Sequence, residues 1–305
     1  MCIAVTPQHL APCTFFPAEA MLRTVRVRGF STTSRQQVFF QKFFQPVIDA
    51  SKPKPHVVTQ LVKPVGLSAP PTATTKYSRG NSFKDLFDQE KTKKRTEELT
   101  IEMSKSGMYD MFTFNKTKGK LFIAPKSYWR KDKALFFPHI IGKPLAKSQS
   151  TGPVEDCLRG KLSIVRIFGS KTGNELSDQF LEKLGEAQSD LLKDVQIVNV
   201  NWMENYAKTL IIKMSMWSMR SKVPADLQKT FFVCDREQLP FTVRERLMIN
   251  NLYTGYTLIV DPEMKIRWMA CGGSSEEEQA TFQKVIKGLK EEISNPQNAP
   301  EQKAS

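Results

Sequence analysis

The sequence has no CxxC pair. Its five cysteines, Cys2, Cys13, Cys157, Cys234 and Cys271, follow no regular spacing. That argues against a disulfide scaffold or a zinc site and points to reduced thiols. Histidine is scarce as well, with three residues. His9 and His56 fall in N-terminal segments that lack the marks of a folded domain, which leaves His139 as a structural or surface residue rather than a general base. No GxSxG or HExxH occurs. The stretch "GSKTG" at 169–173 fails as a P-loop, because Ser170 and Val165 stand where that motif needs glycine. No apolar run reaches the roughly 18 residues of a membrane-crossing helix. The expectation is therefore a non-enzyme, with no catalytic, cofactor-binding or metal-ligating residue and no cofactor.

Acidic residues are also in short supply, 31 against 45 basic ones, for a net charge of +14. Such a balance favours nucleic acid, anionic lipid or an acidic protein face as partner. Proteins of the mitochondrial matrix are often basic for blander reasons, so charge alone names no partner.

The N-terminal segment explains part of that charge. "MLRTVRVRGFSTTSR", residues 21–35, carries Arg23, Arg26, Arg28 and Arg35 and no acid. This is transit-peptide composition, and Arg28 in "RGFS" predicts matrix-protease cleavage between Phe30 and Ser31. Residues 1–20 contain Glu19 and no Lys or Arg, so Met21 is the expected start of translation. From 31 to 80 there are six prolines and one acid, Asp49, which predicts a disordered linker.

Order is expected from residue 81. Ser82 and Asp85 make a candidate N-cap pair, and Phe83, Leu86 and Phe87 give the following helix an apolar face before a charged run. From Lys116 to Lys147 nine basic residues and one acid are interleaved with Phe122, Tyr128, Trp129, Phe136 and Phe137. Lys126, Arg130, Lys131 and Lys133 form a candidate basic surface for anionic lipid or single-stranded nucleic acid. The favoured reading is of short strands or arms with their aromatics turned inward.

A strand, helix, strand alternation follows. "KLSIVRIF" (161–168) and "VQIVNVNW" (195–202) are strands, with helices over 174–192 and 204–223, and "TFFVCD" adds a further strand. "YTLIVDPEMKIRWMACGGSSEEE" (256–278) reads as a hairpin feeding a helix. Asp261 and Pro262 suit the first two turn positions, while Met264 sits where glycine is more comfortable if φ is positive. Ser275 and Glu278 have capping-box spacing, and Phe282, Val285, Ile286, Leu289 and Ile293 line one helix face.

This ending predicts a thioredoxin-like α/β domain over 151–294, with helices on both sheet faces and a disordered tail over 295–305. Residues 81–150 are an amphipathic helix and basic aromatic extension ahead of it. The loop where a redox thioredoxin carries its thiols reads "GSKTGNEL" and has no cysteine. The proline expected before the hairpin strand is replaced by Gly255 and Tyr256.

"TLIIKMSMWSMRSK" (209–222) is the segment that calls for a partner. Leu210, Met214 and Trp217 fall on one helical stripe, and Met216 and Met219 add adaptable apolar surface. Lys208, Lys213, Arg220 and Lys222 supply charge. Two readings stay open, core packing and contact with a client or membrane. Lys213, Met214, Trp217 and Arg220 are the candidates for the second.

Several linked motifs then resemble a known family. "FKDLFD", "GKLFIAPKSYWRKDKALFFPHIIGKPL", "LRGKLSIVRIFGS", "VNVNWMENYAK" and "GYTLIVDPEMKIRWMACG" occur in that order. The chain is similar to the mitochondrial F1Fo ATP synthase assembly factors of the ATPase complex subunit 10 family. The resemblance implies a non-enzymatic chaperone, peripheral on the matrix side of the mitochondrial inner membrane. It would bind newly made Fo subunit a, help it join the subunit c ring, and need no nucleic acid. The rival readings are a mitochondrial RNA- or ribosome-associated protein and a divergent thiol oxidoreductase using Cys271. One outcome is already specified. N-terminal sequencing should find Met21 first on the unprocessed product and Ser31 first on the imported one.

Overall fold

The computed structural model describes residues 56–77, 107–184, 189–203 and 209–295, with Glu90 and Lys93 as isolated positions. The expected presequence with Phe30 and Ser31, the helix opening at Ser82 and the tail from 296 onward lie outside the described residues. All described residues belong to the second of two compact units, Pro53–Ser305.

In chain order the elements are β1 (Thr59–Gln60), α1 (Gly107–Thr117), β2 (Phe122–Ile123), β3 (Leu135–Phe136), β4 (Ile141–Pro144) and β5 (Gly152–Pro153). Next come α2 (Glu155–Leu158), β6 (Ser163–Phe168), α3 (Lys171–Glu182), α4 (Ser189–Leu192) and β7 (Gln196–Met203). The chain ends with α5 (Thr209–Lys222), β8 (Phe231–Asp235), α6 (Phe241–Leu247), β9 (Gly255–Val260), β10 (Lys265–Cys271) and α7 (Glu276–Ser294). Strands β1 and β2 form a parallel ribbon, and the other eight form one sheet in the order β3-β10-β9-β6-β7-β8-β4-β5.

At the centre of that sheet β6 runs parallel to β7 and antiparallel to β9, which pairs antiparallel with β10. A strand, helix, strand unit followed by a hairpin and a helix, with this strand order, is the thioredoxin fold. Every residue of β6 and β9 is buried, as strands covered on both faces require. One face, with Val165, Ile167, Val198 and Leu258, packs on α6 through Val243 and Leu247 and on the N-terminal arms through Leu61, Phe122 and Phe137. On the other face Ile164 and Trp268 meet Phe180 of α3 and Phe282 of α7, while Met216 of α5 meets Phe168 and Val233.

Two expected boundaries change. Residues 59–67 are not a free linker, because Leu61 and Val65 are buried in the main core and Leu67 exchanges backbone hydrogen bonds with Phe136. This segment has no core of its own and uses that of the sheet. Nor does the domain begin at 151, since β3 and β4 are strands of the same sheet. Smaller corrections follow the same logic. Helix α3 starts at Lys171, where Ser170 caps it by accepting from the Gly173 N–H, and it ends at Glu182 instead of running to 192. Ile293 is exposed, so the buried face of α7 ends at Leu289.

The hairpin turn behaves as its residues suggest. The Asp261 carboxylate accepts from the Glu263 and Lys265 N–H groups, and Met264 has φ +65°. Burial of the Met264 side chain offsets the left-handed backbone, which costs roughly 1–2 kcal/mol without a glycine. The capping box of α7 is complete, with Ser275 and Glu278 each accepting from the other's backbone N–H.

Two cations, the half-buried Lys120 and the buried Arg267, fasten the N-terminal arm to this domain. Lys120 pairs with Glu278 and donates to the Cys271 and Gly273 carbonyls, and Glu278 also accepts from the Ala124 N–H. Arg267, 2% exposed, donates to the Trp129 carbonyl at 2.7 Å, to Asp261 at 3.2 Å and to both Glu292 oxygens at 2.8 and 2.9 Å. Arg130, by contrast, meets Asp132 on the surface at 3.1 Å. Guanidinium denaturation should therefore show a loss of about 3–5 kcal/mol for Arg267→Ala, because buried carboxylates are left unpaired. Arg130→Ala should shift the midpoint by less than about 0.5 kcal/mol.

Candidate functional site

The place of a redox centre in this fold carries no cysteine and is braced by packing on one side. Ser170 at the head of α3 is committed to the Gly173 N–H and to the Tyr253 carbonyl at 2.8 Å. Gly173 and Gly255 bring the helix onto β9 so tightly that a Cβ on Gly255 would stand 1.9 Å from the Gly173 oxygen. Behind α3, Arg166 of β6 is buried and donates to Asn199 at 2.9 Å and to the Asn174 carbonyl and side-chain oxygens at 2.8 Å. It also lies 3.2 Å from Asp178, and burial lowers its pKa. This buried cation holds the helix to two strands.

The thiols are equally occupied. Cys271, fully buried, accepts from the Leu121 and Phe122 N–H groups and donates to the Phe122 carbonyl, and burial pushes its pKa up to about 11. Cys157 lies in the one-turn helix α2 rather than in a loop and donates to the Val154 carbonyl; burial takes it to about 11 as well. Cys234 is core in β8, as its apolar surroundings in the sequence suggest, and burial raises it further. His139 is also internal, bound through Nδ1 to the buried Glu155.

An open groove of about 610 Å³ lies at the carboxyl ends of β6 and β7, between the start of α3 and the end of α5, and Gly169, Ser170 and Lys171 line it. Phe168, Met203, Met219 and Phe231 supply its apolar lining, and Lys171 and Lys222 stand at its polar edge. Clefts at the carboxyl ends of parallel strands are the usual ligand position of α/β sheets.

Helix α5 forms one wall, and its two apolar faces have different fates. Met216 is 2% exposed and Met219 is half-buried against Phe231 and Val233. Met214 and Trp217 point the other way, 66% and 74% exposed. The core-packing reading therefore holds for the Met216 face, and the Met214 and Trp217 face is exposed. Of the remaining candidates, Arg220 faces inward and donates to the Leu145 carbonyl at 2.5 Å, so it anchors the helix instead of meeting a partner. The side chain of Lys213 lies outside the described residues.

The basic candidates gather elsewhere. Lys126, Arg130, Lys131 and Lys133 are exposed, with Arg130 paired to Asp132 and Lys131 to Glu263. They sit toward the β3–β10 edge, whereas α5 packs over β8, near the opposite edge. The aromatics between them turn inward. Phe122, Trp129 and Phe137 are buried, and Arg267 stacks over Tyr128 at 5.4 Å, which leaves these rings no face for a nucleic-acid base. The groove itself carries no sequence motif, because its lining comes from segments as far apart as Phe168 and Leu252.

A sequence model described as ATP10 protein matches residues 45–289. The chain belongs to the ATP10 protein family. The family region thus takes in the arm at 59–67 and all eight strands of the sheet. Among relatives, the mitochondrial ATPase complex subunit ATP10 of Candida glabrata is 48% identical over 267 residues, covering 86% of this chain and 95% of that protein. The protein of the same name from Saccharomyces cerevisiae is 45% identical over 276 residues, covering 86% and 98%. Similarity to solved structures is slight. A secreted thiol-disulfide isomerase from Corynebacterium glutamicum shares 12% identity and a TM-score of 0.36 over 54% of this chain and 92% of that one. The fold assignment rests on strand order and direction instead.

These thiol environments specify a test. Alkylation of the native protein near pH 8 should leave Cys157, Cys234 and Cys271 largely unmodified, since the neutral thiol dominates until pH nears 11 for Cys157 and Cys271. All three should react on unfolding in denaturant, which mass spectrometry would count.

Proposed function

We propose that this protein is a non-enzymatic assembly chaperone of the mitochondrial ATP synthase. It shields newly made Fo subunit a and promotes its joining to the subunit c ring, working from the matrix side of the inner membrane. The observation that carries the reading is the exposure of Trp217, 74%, and Met214, 66%, on a helix whose opposite side is anchored in the core. An apolar stripe on a supported helix offers a client helix an anchor, and methionine adapts to varied apolar partners. The adjoining groove, lined by Met203 and Met219, is a separate apolar surface on the other side of the helix.

Other features agree with this role. The relatives are named as subunits of the mitochondrial ATPase complex. Among the described residues no helix is long and apolar enough to cross a membrane, in keeping with peripheral attachment. The helix start without a cysteine and the protonated thiols, two of them fully buried, speak against the thiol oxidoreductase alternative, and the burial of Phe122, Trp129 and Phe137 speaks against RNA.

Crosslinking pull-down from mitochondria labelled during organellar translation tests the reading. Wild-type protein should recover newly made subunit a. Trp217→Ala with Met214→Ala should lower that recovery roughly tenfold, the scale of losing a central aromatic anchor, with no change in thermal midpoint. Unchanged capture, loss of solubility, or recovery of ribosomal proteins and RNA in place of subunit a would overturn it.

A further inference from the structure

The β1–β2 ribbon bears a second apolar exposure, at the edge of the sheet away from α5. In its parallel register Gln60 lies opposite Ile123 and Thr59 opposite Phe122. Leu61 and Phe122 turn inward and are buried, so strand alternation puts Val58 and Val62 on the outward side with Ile123, flanking Gln60, whose amide is turned to the Ala124 carbonyl at 3.4 Å. Val62 is 74% exposed, Ile123 45% and Val58 36%, and the neighbouring Val57 is 71% exposed. β-Branched apolar side chains gathered on one strip are in an unfavourable place if water is their only neighbour.

The strip is held in place from behind. The Leu61 N–H donates to the Ile123 carbonyl at 2.9 Å, the His56 ring bonds the Leu121 carbonyl, and the Trp129 indole donates to the Val62 carbonyl at 3.1 Å. A patch fixed this way loses little conformational entropy on binding. Its surroundings are cationic. Lys63 follows Val62 directly, Lys126 follows Ile123 by three residues, and Arg130 adjoins the Trp129 that braces the strip; all three are exposed. Asp132 is paired with Arg130, and Glu263 with Lys131.

We propose that this ribbon face is the docking surface for an anionic phospholipid membrane, a reading that rests on the peripheral membrane role above and gives it a location. The valines and Ile123 enter the boundary between headgroups and acyl chains, and Lys63 and Lys126 meet lipid phosphates. Charge complementarity selects the occupant, since an apolar strip rimmed by lysine and arginine matches an anionic interface. The stripe on α5, toward the other edge of the sheet, stays free for a client.

Co-sedimentation of the whole imported chain with vesicles tests this. Phosphatidylcholine vesicles containing cardiolipin should bind the protein and phosphatidylcholine alone should bind it weakly. Val58→Ser with Val62→Ser, and separately Lys63→Gln with Lys126→Gln, should each weaken binding to the anionic vesicles about tenfold without moving the thermal midpoint. The Trp217→Ala and Met214→Ala variant should bind vesicles like the wild type. No client is present in this assay, so a failure of client capture leaves its result untouched. The proposal is overturned if the wild type ignores anionic vesicles, if ribbon variants bind normally, or if the α5 variant alone loses binding. It is overturned equally if the ribbon variants alter self-association in the absence of lipid, which would make a second copy the occupant.

Discussion

Arg267 is the constraint on which the rest of the structure depends. It is a buried cation on β10, and its donors go to the Trp129 carbonyl, Asp261 and Glu292. One side chain thereby joins the extended arm, the hairpin turn and the last helix. Water is excluded from these groups, so each needs the others to stay satisfied. The Lys120–Glu278 pair repeats the device at the other end of the arm, where it also completes the cap of α7. With the arm fastened twice, Phe122, Trp129 and Phe137 cover a sheet face that would otherwise be wet.

The missing cysteines at the start of α3 have a structural counterpart. A thioredoxin fold places a helix N-terminus where it can stabilise a thiolate. Here Ser170 uses that N-terminus as an ordinary cap, and Gly173 and Gly255 pack the helix tightly against β9. What remains open is the neighbouring cleft over the ends of β6 and β7. The fold keeps its usual site for ligands and changes what that site can hold, from a reacting sulfur to an apolar surface.

Two groups of exposed apolar residues stand toward opposite edges of the sheet. Met214 and Trp217 stand on a helix over β8, and the valines stand on a ribbon bound to the β10 side. Each is backed by a buried layer, Met216 under the first and Leu61 with Phe122 under the second. The two proposed surfaces, one for a membrane and one for a client, would be kept apart by a single sheet.

By itself the sequence determined the central fold and the family. The β6–α3–β7 alternation, the hairpin at Asp261 and the box at Ser275 are local patterns, legible because strand period, turn chemistry and capping act over a few residues. The burial of Cys234 and the loss of the redox pair were legible for the same reason. Tertiary structure alone decided the rest. Residues 59–67 looked like linker because a short extended segment without its own core gives no periodic signal, yet Leu61 and Val65 borrow the core of the sheet. Arg220 resembled a surface charge until the Leu145 carbonyl claimed it. Which side of α5 faces water could not follow from Met214, Met216, Trp217 and Met219, all apolar. It follows from where Phe231 and Val233 lie, and long-range packing sets that.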